Sequence, residues 1–184
     1  ACWWLGAVAV PLNTRWSTHE LDYAIEQTAA RMLWVDHALL DSALALQTLP
    51  TLIPIYIGSN SSPLGFLRLE ELLKNSTARE ANHLNQDALA AIIFTGGTTG
   101  KSKGVMLTQL NFWAAAVGRL ATIPNRPTTM FSLLVAPLFH VAGLGRLISQ
   151  IITASPTLLH DRFDAKEVLQ DLHTHRIDDI VVVP

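Results

Sequence analysis

Short apolar runs separated by amphipathic stretches organise this chain, and the period of each stretch predicts its element. Gly6–Leu12 reads as a short buried strand that stops at Pro11. Ser17-Thr18-His19-Glu20 has capping-box spacing, so a helix starts there. Leu21, Ile25 and Thr28 fall on one face of it, with Ala24 and Ala29 beside them. Met32–Val35 predicts a strand ending at Asp36, Leu39–Leu49 a weak helix, and Leu52–Ile57 a further strand. Gly58–Gly65 is the clearest loop, and the polar stretch Lys74–Gln86 marks a junction. The second half is more regular. Strands are predicted at Leu89–Phe94, Met130–Val135, Thr157–Leu159 and Ile180–Val183. Helices are predicted from Thr108 to Leu120, from Val141 to Thr153, and from an Asp164 cap to His175. A turn holds Pro124 and Pro127. Strands alternating with helices imply an α/β fold of parallel βαβ units with helices on both faces of the sheet. Two sub-parts are expected, 1–75 and 87–184.

Composition narrows this picture. Hydrophobic residues make up 49% of the 184 residues and mean hydropathy is +0.29, so a real core is available. Charged residues are only 15%, against roughly 25% in typical soluble domains. The low value, and the apolar sequences at Cys2-Trp3-Trp4-Leu5 and Val181-Val182-Val183, lead us to expect a fragment whose partner segments are missing. A net charge of −2 with no basic run argues against nucleic acid as a partner. The single cysteine, Cys2, excludes an internal disulfide and suits a reducing, cytoplasmic compartment. Ala1–Leu12 has the length of a signal h-region but no basic n-region, so it reads as core. No run reaches the ~18 apolar residues that a membrane span needs.

The chemistry concentrates in Phe94–Val105. Residues 95–103 contain three threonines, three glycines and two lysines, far more than a turn requires. Glycines let backbone N–H groups face an anion, hydroxyls add donors, and lysines add charge. Strand, glycine loop, then helix predicts a phosphate cradle. Gly100-Lys101-Ser102 supplies the end of the Walker pattern, but Thr95 stands where that pattern needs its first glycine, and Lys103 has no place in it. A P-loop NTPase therefore stays as an alternative in which Ser102 would carry the metal.

Phe94–Val105 more closely resembles the phosphate loop of the adenylate-forming superfamily, Tyr-Thr-Ser-Gly-Thr-Thr-Gly-x-Pro-Lys-Gly-Val. Phe94 stands for Tyr, Gly96 for Ser and Ser102 for Pro. The resemblance extends in order along the chain. Gly6–Asn13 resembles the family's Gly-Ala-x-x-x-Pro-Leu-Asn segment, and Glu20-Leu21 its Glu-Leu pair. Met106–Asn111 is similar to the following helix start, with Gln109 in place of a histidine. Ala136–Gly143 resembles the motif that carries a pocket histidine, and Val182-Val183-Pro184 the strand beyond it.

The resemblance implies an acyl-CoA synthetase-like ligase. It would use ATP, Mg²⁺ and CoA to activate a carboxylic acid, with a fatty or aryl acid favoured by the apolar neighbours of His140. The amides of Gly96, Gly97 and Gly100 would hold the β- and γ-phosphates. The hydroxyls of Thr95, Thr98 and Thr99 would donate to them, Thr98 and Thr99 also helping to place Mg²⁺. Lys103 would neutralise the leaving pyrophosphate, while Lys101, at a variable position, would be solvated. His140 would line the acyl or thiol tunnel, with Phe139, Ala142 and Gly143 shaping it. The family's later Tyr-Gly-x-Thr-Glu motif, its ribose aspartate and the C-terminal domain with the adenylation lysine are absent from these residues. The 184 residues alone are thus expected to be inactive, and a non-catalytic or degenerate homologue is the other alternative. Elsewhere, His173-x-His175 with Asp178 and Asp179 reads as a solvated helix end rather than a metal site. Cys2 has no partner that would make it a nucleophile. The tryptophans Trp3, Trp4, Trp16, Trp34 and Trp113 read as core.

Overall fold

The computed structural model describes residues 2–58, 61–82, 85–96, 100–122 and 130–182. The predicted turn at Pro124 and Pro127, and Val183 of the last strand, lie outside the described residues. The fold is α/β with parallel sheets. Helix α1 (Thr18–Thr28) leads to β1 (Met32–Asp36), α2 (Leu40–Leu44), β2 (Ile53–Ile57), β3 (Leu67–Arg68) and α3 (Leu69–Lys74). Strands β1, β2 and β3 pair in that order, all parallel, from Met32 opposite Ile53 to Asp36 opposite Ile57. The weak helix expected over Leu39–Leu49 is only the five residues of α2, flanked by 3₁₀ turns at His37–Leu39 and Leu49–Thr51.

Helix α1 begins at the capping box. Ser17 N–H donates to Glu20 Oε2 at 2.8 Å, and the Glu20 amide donates back to Ser17 Oγ at 3.4 Å. Leu21, Ala24 and Ile25 are buried, and Leu21 and Ile25 pack with Leu46 and Leu52. The hydrophobic pattern does not reveal Asp22, which is buried on the same helix. It accepts from the Thr48 amide at 2.9 Å, the Thr48 hydroxyl at 2.7 Å and the Gln47 amide at 3.1 Å. Burial works against its ionisation, but the Thr48 hydroxyl and the two amides outweigh burial and hold its carboxyl below the usual range. A depressed native value means that ionised Asp22 stabilises the fold above its unfolded pKa, and that this is lost as pH falls through the native one. Asp22→Ala should cost about 1–3 kcal/mol at neutral pH by orphaning those donors. Thermal melts at decreasing pH should show the wild-type advantage shrinking through the acid range; a pH-independent gap would refute this role.

The second half contains β4 (Leu89–Thr95), β5 (Lys103–Thr108), α4 (Gln109–Ala121), β6 (Ser132–Leu134), α5 (Val141–Ile152), β7 (Thr157–Leu159), α6 (Ala165–Thr174) and β8 (Asp179–Ile180). Strands β7, β6 and β8 form a parallel sheet in that order. The pair β4–β5 is antiparallel. The expected strand Gly6–Leu12 is a single parallel bridge from Ala9 to Ala91. Its two bonds are Ala9 N–H to Ala90 O and Ile92 N–H to Ala9 O, both 2.9 Å. A left-handed Gly6 at φ 75 and Pro11 leave little extended backbone between them.

The core beneath this region holds Ala90, Ala91, Ile93, Phe112 and Ile148. Trp3 joins it: its ring lies 5.1 Å from that of Phe112 and its indole N–H donates to Ala90 O at 2.7 Å. Trp16 meets Phe94 edge-on at 5.7 Å. The other three tryptophans are not core. Trp4, Trp34 and Trp113 are 57%, 48% and 56% exposed. For Trp34 the reason is strand alternation: Leu33 and Val35 face the helices, so Trp34 faces the opposite side with Met32 and Ile53.

Candidate functional site

The glycine loop joins two antiparallel strands, not a strand to a helix. Residues Lys103–Val105, expected as the end of the loop, belong instead to β5, and Thr95 sits directly opposite Lys103. The lysines and Gly104 disguise a short apolar strand, Val105-Met106-Leu107. The helix starts only at the far end of β5. There Thr108 accepts from the Asn111 amide at 3.2 Å while the Thr108 amide donates to Asn111 Oδ1 at 2.9 Å. The length of β5 therefore separates the α4 N-terminus from the loop, and its dipole, felt within about a turn, does not assist an anion there.

What the hairpin does supply is a paired mouth. Opposed residues of an antiparallel pair share one face, so the Thr95 hydroxyl and the Lys103 side chain stand together. Both are exposed, as are Gly96 and Gly100. The Thr95 hydroxyl also reaches the Lys103 carbonyl at 3.5 Å. Gly100 has φ +129, a conformation that side-chain-bearing residues rarely adopt. Gly97, Thr98 and Thr99 lie outside the described residues.

Lys101, expected to be solvated, has a contact. Its Nζ lies 4.9 Å from the centroid of the Tyr23 ring. Gly100, Lys101 and Ser102 line a cleft of about 310 Å³ together with His19, Glu20 and Tyr23 of α1. The loop's outgoing limb thus rests beside the first helix.

His140 occupies the N-cap position of α5, exposed, at φ −101 and ψ 144, with no capping bond from its side chain. Its amide donates to Pro137 O at 3.1 Å, and its ring lies 5.1 Å from that of Phe139. Gly143, expected to shape a pocket, is instead buried against backbone. A Cβ on it would come 2.2 Å from Pro137 O and 2.7 Å from Ala136 O. Ala142 lines a cleft of about 320 Å³ between α4 and α5 together with Phe112, Ala115 and Gly145.

The profile of the AMP-binding enzyme family matches residues 1–184. This chain belongs to the AMP-binding enzyme family. A 2-succinylbenzoate–CoA ligase of Bacillus subtilis is 31% identical over 186 aligned positions, covering 100% of this chain and 35% of the relative. The chain thus spans about a third of the length of the curated relatives it matches. The o-succinylbenzoate CoA synthetase of the same organism, solved with a product analogue, superposes with a TM-score of 0.79 at 29% identity, over 98% of this chain and 34% of that one. A structure of that synthetase in complex with ATP and magnesium ion gives a TM-score of 0.75 at 28% identity, over 97% and 44%.

This member of the AMP-binding enzyme family also contains a buried polar network that sequence reasoning missed. Arg146 of α5 is 3% exposed. It donates to Ser132 Oγ at 2.9 Å and pairs with Asp179. Gln150, one turn on, turns its amide oxygen to the guanidinium and accepts from Nε at 3.0 Å and Nη2 at 2.8 Å. Ser132 opens β6 and Asp179 opens β8, and the two are register partners. The signal was present: Arg146 and Gln150 are four apart in an otherwise apolar helix. The network ties the helix that His140 begins to the sheet beneath it.

Asp178 and Asp179, close in sequence to His173 and His175, are structural. The Asp178 carboxylate accepts from the Phe131 amide at 2.9 Å. Asp171 lies 2.7 Å from His160 Nε2 and 3.7 Å from His175 Nε2. Among the described residues no group of three or more His, Cys, Asp or Glu could hold a metal, and no helix is long and apolar enough to cross a membrane.

Proposed function

We propose that the chain carries the phosphate-binding part of an AMP-forming acid–thiol ligase. A carboxylate oxygen attacks the α-phosphorus of ATP, the bond to the bridging oxygen breaks, and pyrophosphate leaves. A CoA thiolate then attacks the acyl carbon, and AMP leaves. The observation that carries this reading is the facing pair Thr95 and Lys103 at the mouth of the glycine hairpin. It sets a hydroxyl donor beside a cation where pyrophosphate charge builds. With no covalent protein nucleophile in the reaction, positioning the reactants and stabilising charge where it develops must lower the barrier.

The residues fit a bound nucleotide phosphate. Thr95, Gly96, Gly97, Thr98, Thr99 and Gly100 offer amides and hydroxyls, and Lys103 offers charge. The hydroxyls of Thr98 and Thr99 would help to hold Mg²⁺, which would supply neutralisation of the phosphate charge. His140, exposed at the start of α5, contacts the acyl group or the thiol. An aryl acid is favoured over a fatty acid, because the similar Bacillus ligases act on 2-succinylbenzoate. Sub-parts 1–75 and 87–184 supply the two walls of the phosphate region. An unpaired, exposed Cys2 suits a cytoplasmic enzyme.

The test compares Lys103→Ala with Ser102→Ala in the complete enzyme that carries this chain, by pyrophosphate release with a panel of acids. Lys103→Ala should lower turnover roughly 10²–10³-fold, as loss of one transition-state donor does, and Ser102→Ala should stay within a few-fold. The reverse ranking would favour a P-loop NTPase. Pyrophosphate release with amino acids alone would refute the aryl substrate. The 184 residues alone should bind magnesium pyrophosphate but release none from ATP.

A further inference from the structure

We propose that Tyr23 is a positioning residue that latches the outgoing limb of the phosphate hairpin to α1 through the Lys101 ammonium. The proposal deepens the phosphate-site reading and rests on it for its functional consequence, though not for the contact itself. A cation within about 6 Å of a tyrosine centroid is attracted by the negative face of the ring. The 4.9 Å separation meets that condition. Lys101 is exposed and Tyr23 half-buried, so the ring is the anchored partner and the ammonium the one recruited.

Two features make Tyr23 a fixed point. Its helix is closed at the N-terminus by the Ser17–Glu20 box. The neighbouring Asp22 is locked by three bonds to Gln47 and Thr48. Tyr23 therefore projects from a turn that cannot swing. On the other side, Gly100 at φ +129 gives the limb the backbone freedom to lean onto that ring. Latching Lys101 restrains Lys103 two residues on. Part of the entropy of ordering the phosphate-binding lysine is thus lost before any ligand arrives, which preorganisation converts into affinity.

The latch accounts for a lysine that the phosphate chemistry itself does not use. It also assigns the cleft shared by Tyr23, His19, Glu20, Gly100, Lys101 and Ser102 a role as the seat of the limb rather than a ligand pocket.

The test is trypsin cleavage after Lys103 in the 184-residue chain, followed by mass spectrometry, with cleavage after Lys74 as an internal control. Cleavage of a locally opened segment follows its opening equilibrium. An exposed cation–π contact corresponds to about a two- to fivefold change in that equilibrium. Tyr23→Leu should speed cleavage after Lys103 by that factor and leave Lys74 unchanged. Tyr23→Phe, which keeps the ring face, should restore the wild-type rate. Lys101→Met, which leaves α1 untouched but deletes a neighbouring tryptic bond, is read by amide hydrogen exchange of residues 102–104, where it should speed exchange as much as Tyr23→Leu and the double variant no further. Wild-type rates for Tyr23→Leu or Lys101→Met, no rescue by Tyr23→Phe, or multiplying effects would each overturn the latch. Magnesium pyrophosphate should slow cleavage in the wild type, and about two- to fivefold more of it should be needed for the same protection in Tyr23→Leu. Absence of that protection in the wild type would count against the phosphate reading while the ligand-free comparison still decides the latch.

Discussion

Asp179→Ala is expected to destabilise the chain by about 3–5 kcal/mol, the usual cost of removing one partner of a buried ion pair. The guanidinium it would strand is 3% exposed. Ser132 and Gln150 accept from its Nε and Nη2 but supply no negative charge. A denaturant midpoint falling without a change in slope would confirm the loss. An unchanged midpoint would show that the pair carries no stability. The converse experiment separates pair from packing. Replacing both partners, Arg146→Met with Asp179→Leu, removes the charges together and should recover most of the loss, because apolar replacement of a whole buried pair is often neutral or better. If the double variant is as unstable as the single, the network matters through shape rather than charge.

That network also shows where sequence reasoning reaches its limit. Helices α1, α5 and α6 are legible because each announces itself locally: Ser17 with Glu20, the apolar stripe of α5, and Asp164 before α6. The glycine-rich loop itself is legible from composition and spacing. What is not legible depends on partners far along the chain. Asp22 looks like one polar residue on an amphipathic helix until Thr48 is folded against it. Arg146 becomes structural only when Ser132 and Asp179 meet in adjacent strands. β5 reads as loop because Lys103 and Gly104 carry turn chemistry, and pairing with β4 overrides that local preference. The change is functional as well as geometric. A strand-loop-helix cradle would place a helix dipole on a bound phosphate, whereas under the proposed function the hairpin would rely on Thr95 opposite Lys103.

Gly143→Ala should show the largest effect obtainable from a single methyl group. The added Cβ would lie 2.2 Å from Pro137 O and 2.7 Å from Ala136 O, and both obstacles are backbone, so no side chain can rotate away. The first turn of α5 must instead move off the 136–137 segment. Overpacking of this kind costs about 1–3 kcal/mol, occasionally more, which for a chain of this size lowers Tm by roughly 2–4 °C per kcal/mol. Gly145→Ala is the control: it lies on the same helix, and a Cβ there meets nothing within 4 Å. Exchanging a helical glycine for alanine without strain should stabilise the chain by about 0.5–1 kcal/mol. Opposite signs for two identical substitutions two residues apart would establish that Gly143 is required for close approach rather than for flexibility. His140 begins the same turn, so the displacement should reach it. In the complete enzyme, Gly143→Ala should therefore impair acyl transfer even at temperatures where the fold survives, whereas Gly145→Ala should leave it unchanged. Equal melting temperatures for the two variants would overturn the packing argument.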